Sequence, residues 1–161
     1  MPFGIAEAIA TISAAMQAID LYAKFGGSQS QIIQTLNLEY QPSRYVDVEQ
    51  KVLSLGASAP RYTDLFKTAD RRVQECIEGF TAAIGEDQLP MERERLAASA
   101  KACVCRQIKL LKDFMGEYIP EELKDIWRVH ECDDFFGSSQ GHNRKGQGSF
   151  VQTREPATSS S

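Results

Sequence analysis

The residues best equipped for chemistry are Cys76, Cys103, Cys105, Cys132, His130 and His142. Cys103-x-Cys105 and His130-x-Cys132 supply four soft or borderline donors of the kind zinc takes. Residues two apart on a helix point to nearly opposite sides, so Cys103 and Cys105 reach one ion only if their helix is broken. No metal site is expected. A Cys-His nucleophile needs the two side chains in contact and a third group orienting the base. His130 and Cys132 face different directions near a helix end, and His142 falls in a low-complexity tail, so neither histidine stands on a rigid catalytic scaffold. The acid pairs Glu86-Asp87, Glu121-Glu122 and Asp133-Asp134 lie at helix ends or loops, where carboxylates cap or solvate. The chain carries no G-x-x-x-x-G-K-[ST] loop, no strand-linked G-x-G-x-x-G and no H-E-x-x-H. No catalytic residue, cofactor or metal ligand is assigned, and the expectation is a protein that is not an enzyme.

Chemistry of any kind needs a scaffold, and 161 residues with 42% hydrophobic and 25% charged side chains suffice for one domain with a proper core. Eighteen Lys and Arg against 22 Asp and Glu leave a formal charge of -4, so there is no global basic field for nucleic acid. Four cysteines are sparse for such a chain, a core of this size needs no disulfide staples, and reduced cysteines are expected. The N-terminal stretch has no Lys or Arg ahead of its apolar residues and contains Glu7, unlike a secretory signal. Glu7, Gln17 and Asp20 interrupt the best apolar run, which argues against a conventional membrane-spanning helix. The expected location is cytoplasmic.

Six helical segments are legible. Over residues 3–25, Ile5, Ile9, Ile12, Met16 and Ile19 recur at alternating four- and three-residue steps, while seven alanines fill most of the remaining surface. A helix apolar nearly all round belongs in the middle of a bundle. Residues 28–38 suggest a short helix capped by Ser28, and Tyr45, Val48, Val52 and Leu55 predict a third ending at Gly56. From Pro60 to Gly85 the stripe Tyr62, Phe66, Ala69, Val73, Cys76, Phe80 and Ala83 predicts a fourth, with Arg71, Arg72, Glu75 and Glu78 solvated. Pro90 opens the longest, whose buried face runs from Leu96 through Val104, Ile108 and Leu111 to Tyr118. Pro120 starts the last, with Leu123, Ile126, Trp127 and His130 on one side and the fold ending near Phe136. No alternating strand is visible. The expected fold is all-α: a single bundle of about five or six helices over residues 1–136.

From Gly137 the composition turns to Gly, Ser, Gln, Asn and Thr, so residues 137–161 are expected to be disordered. Within them, Phe136-Gly-Ser-Ser-Gln-Gly141 and Gly146-Gln-Gly-Ser-Phe150 form a rough mirror image about residues 142–145. Gln and Asn in such a segment can stack in cross-β ladders.

An apolar, nearly uncharged helix starting within a few residues of Met1, here MPFGIAEAIATISAAMQAIDLYAKF, followed by an all-helical domain, resembles the HeLo, HeLo-like and SesA-type N-terminal domains of fungal NLR-type signalling and cell-death proteins. The mirrored FGSSQGHNRKGQGSF is similar in flavour to the short amyloid motifs with which some of those proteins transmit activation. The resemblance implies a non-enzymatic domain acting by partner binding or regulated self-assembly, in the manner of a cell-death effector. It implies that the first helix, once released, contacts a membrane or recruits partners. The interaction residues so assigned are Ile5, Ile9, Ile12, Met16 and Ile19 in the first helix and Gln140, Gln147 and Phe150 in the tail. The alternative, read from the net charge, is a soluble immunity or inhibitor protein that binds a toxin through an acidic helical surface.

Overall fold

The computed structural model describes residues 4–85 and 87–136. Gln140, Gln147 and Phe150, with the expected tail, lie outside the described residues. The described chain is all-α: α1 (Ile5–Phe25), α2 (Gln29–Glu39), α3 (Val46–Leu53), α4 (Ala59–Ala83), α5 (Pro90–Met115) and α6 (Glu121–Val129), joined in part by short 3-10 turns. A first compact unit ends at His130; from Glu131 a second begins, whose described part is Glu131 and the 3-10 turn Cys132–Phe136.

Local sequence accounts for most of the boundaries. Gly4, in the left-handed region at φ 92°, turns the chain into α1, and the Gly26 amide donates to the Tyr22 carbonyl to close it. Ser28 opens α2 with a reciprocal capping box: its hydroxyl accepts from the Gln31 amide, and the Gln31 side chain accepts from the Ser28 amide. Pro60 and Pro90 occupy first-turn positions of α4 and α5, where a missing amide hydrogen costs nothing. Gly116, at φ 58°, ends α5 one turn earlier than the apolar spacing suggests. The following 3-10 turn rotates Tyr118 out to solvent while Ile119 points inward.

The core is organised around α1, which touches all five other α-helices. Ile5, Ile9, Ile12, Met16 and Ile19 are fully buried, as are Ala8, Ala10, Ala15, Ala18 and Tyr22. From α4 come Tyr62, Phe66, Ala69, Val73, Ile77 and Phe80. The α4 stripe drifts with the 3.6-residue period, so Ala83 lies at the surface and Ile84 closes the core instead. From α5 come Ala97, Ala100, Val104, Ile108, Leu111 and Met115, and from α6 Leu123 and Trp127. Lys112 of α5 sets its ammonium 4.0 Å from the Trp127 ring centre, a cation–π contact that joins α5 to α6. No helix among the described residues is long and apolar enough to cross a membrane.

The expectation of reduced cysteines is corrected. Cys76 and Cys103 form a disulfide between α4 and α5, Cys105 and Cys132 are also disulfide-bonded, and no cysteine is free. Core size decides whether a chain needs staples, not whether two cysteines meet. Cys76 and Cys103 stand on adjacent helices with their Cα atoms 5.9 Å apart, inside the span a disulfide requires.

Candidate interaction surfaces

The five interaction residues assigned to α1 all face the bundle interior, each at 0% exposure. Reaching a partner through them requires α1 to leave. Burying each of these side chains is worth about 1.5–3 kcal/mol, and their sum of roughly 8–15 kcal/mol matches the whole stability of a typical domain. Withdrawing α1 therefore amounts to unfolding the bundle.

Three polar fixtures hold α1 in place. At its N-terminus, the buried Glu49 carboxylate of α3 accepts from the amides of Ile5 and Ala6, each at 3.1 Å. It caps two otherwise orphaned donors and sets a negative charge at the positive end of the helix dipole. Near the C-terminus, the Tyr22 hydroxyl lies 2.8 Å from Gln88 Oε1 and 3.2 Å from the Gly85 carbonyl, and its ring meets Phe80 edge-on. One turn before the end, Asp20 pairs with Lys101 of α5 through one oxygen and lies 3.0 Å from His130 Nδ1 through the other. Burial pushes the Asp20 carboxyl up, but hydrogen bonding and charge from His130 and Lys101 together outweigh it and hold the group below its usual range.

Two surface regions stand out beyond α1. At the end of the bundle where α1 stops and α5 starts, Phe25, Leu89 and Met91 are 77%, 73% and 80% exposed. Arg93 ties this end together, its side chain lying along Gly26 and its guanidinium donating to the Gln88 carbonyl at 3.3 Å. The second is a groove of about 490 Å³ between α3 and the start of α6, with Val52, Leu55, Ile119 and Pro120 in its lining. Asp47, Glu117, Glu121 and Glu122 also line it, against Lys51 and Lys124, and Lys124 is already paired with Glu121 at 3.3 Å.

Among the described residues no group of histidines, cysteines and carboxylates is arranged to hold a metal ion. The chain matches no family model, no curated protein and no solved structure. Sequence reading missed the Glu49 clamp and the Asp20 cluster, because each joins residues far apart in the chain. Asp20 did carry a signal, as an acid in a helix otherwise destined for burial. Glu49 carried none, being one acid among several in a short amphipathic segment.

Proposed function

We propose that this chain is a non-enzymatic helical interaction domain that acts by binding a protein partner or by self-association. The supporting observation is the exposure of Phe25, Leu89 and Met91 at the end of the bundle where Arg93 of α5 lies along Gly26. Large apolar side chains this exposed, drawn from two helix ends, lose unfavourable hydration when a second surface covers them. The helices supply a folded backbone, so binding there pays for ordering side chains but not for folding a segment. Sedimentation velocity over a range of concentrations, followed by cross-linking to candidate partners, tests the reading. Association that disappears in F25S/L89S/M91S supports it, whereas a chain that stays monomeric and captures nothing specific rejects it.

A role as a signalling or cell-death effector with a membrane-active α1 rests on the resemblance alone, carried chiefly by residues 1–25, and it requires a trigger strong enough to undo the core. The toxin-binding alternative has a different support, the carboxylate-lined groove between α3 and α6, which suits a cationic surface. The cytoplasmic placement rested in part on reduced cysteines; disulfides are rare in reducing compartments and persist in oxidising ones. We therefore favour a chain that folds or functions under oxidising conditions.

A further inference from the structure

The two sets of bonded sulfurs differ in their access to solvent. Cys105 and Cys132 are fully enclosed, whereas Cys76 retains slight exposure and Cys103 is half-buried. The helix periodicity shows what surrounds the Cys76–Cys103 bridge, because residues three or four apart share a face. On one side, Gly79 follows Cys76 by three residues and exposed Ser99 precedes Cys103 by four; a side chain added at Gly79 meets only open space. On the other side stand Arg72 and Gln107, four residues before Cys76 and four after Cys103. Both line a groove of about 240 Å³ between α4 and α5 that also includes Leu65, Leu110 and Phe114. Leu110 and Phe114 are exposed. The bridge thus has a side from which a small molecule can approach, and it fastens the two helices one turn from an apolar groove.

We propose that Cys76–Cys103 is a thiol-exchange site, open to low-molecular-weight thiols while the bundle stays folded, and that its reduction loosens the α4–α5 groove. A thiolate attacks Sγ of Cys103, the more exposed residue of the pair; the disulfide breaks, a mixed disulfide forms, and Cys76 leaves as a thiolate that takes up a proton. A second thiolate attacks the sulfur of the bound thiol, so Cys103 leaves as a thiolate and is protonated in turn. The two thiols are oxidised to one disulfide, and the protein gains two electrons and two protons. This inference does not depend on the interaction reading above.

The full oxidised chain is incubated with reduced glutathione, quenched with a maleimide and mapped by peptide mass, while circular dichroism follows the helices. Cys76 and Cys103 are expected to label about 100-fold faster than Cys105 and Cys132, with the helical signal intact. Labelling of all four at one rate, or of none before the helices melt, overturns the proposal. Two variants test its parts. G79L should slow exchange several-fold by closing the approach, and an unchanged rate refutes that path. C76S/C103S should bind a hydrophobic dye as the reduced wild type does and more than the oxidised protein; equal dye binding by all three refutes the link to the groove.

Discussion

At the scale of single residues, the fold depends on a few polar groups that an otherwise apolar helix cannot supply for itself. Glu49 is the clearest, since its carboxylate serves two amides of α1 from another helix. Glu49→Ala leaves both donors without that acceptor and should cost about 2 kcal/mol. Glu49→Gln keeps one acceptor oxygen and should lose less; chemical denaturation ranks the two, and equal losses would show that the carbon stem matters more than the cap. Asp20 adds a pH dependence. Its carboxyl is held below the unfolded value near 3.8, so it stabilises the fold above that pH and ceases to do so as pH falls through its lower folded value. Asp20→Asn, which leaves Lys101 and His130 without their partner, should cost about 1–2 kcal/mol at neutral pH. Thermal melts of both proteins from pH 7 down to pH 2.5 provide the check: the gap between them should narrow below pH 4, and a constant gap would mean that ionisation of Asp20 contributes nothing.

At the scale of elements, α1 is where sequence and structure agree most closely, and the reason is period. Five large apolar side chains at four- and three-residue steps, backed by alanines, admit one stable placement, and α1 occupies it with all five at 0% exposure. Ile12→Asp sets an unpaired charge at that centre and should cost about 4 kcal/mol or more, a large part of the roughly 5–15 kcal/mol typical of a domain. Ile12→Val, removing one methyl group, should cost about 1 kcal/mol. A melting temperature unmoved by either substitution would place α1 at the periphery. The ends of the elements were legible wherever a residue dictates backbone geometry, as Ser28, Pro60 and Pro90 do. They were not legible at Tyr118, because a 3-10 turn after Gly116 resets the angular register that spacing alone extrapolates. The exposed cluster of Phe25, Leu89 and Met91 escaped for a related reason: two of its members sit in the first turn or cap of α5, and only the return of the chain past α1 groups them.

At the scale of the whole molecule, the bundle around an alanine-rich central helix carries a covalent tie as well as apolar packing. Alanine side chains let helices approach closely but each buries little area, so the stabilisation per residue of α1 is modest away from its five large side chains. A covalent tie between the two longest helices acts through the unfolded chain instead, by restricting the 27-residue separation that the bridge spans. Loop-closure entropy for a separation of that order is worth about 3–4 kcal/mol. C76S/C103S should therefore melt about 10 °C or more below the oxidised wild type, with native helix content retained at low temperature. Adding reductant to the wild type should reproduce most of that shift, and adding it to the variant should produce a smaller one, from the remaining disulfide-bonded cysteines alone. The comparison separates two ways in which α1 could be held. If the variant melts with the wild type, apolar packing around α1 suffices by itself and the bridge is not what keeps α4 and α5 together. If it melts well below, oxidation state becomes a lever on the cage around α1, and any process that frees that helix must first contend with the sulfur tie between α4 and α5.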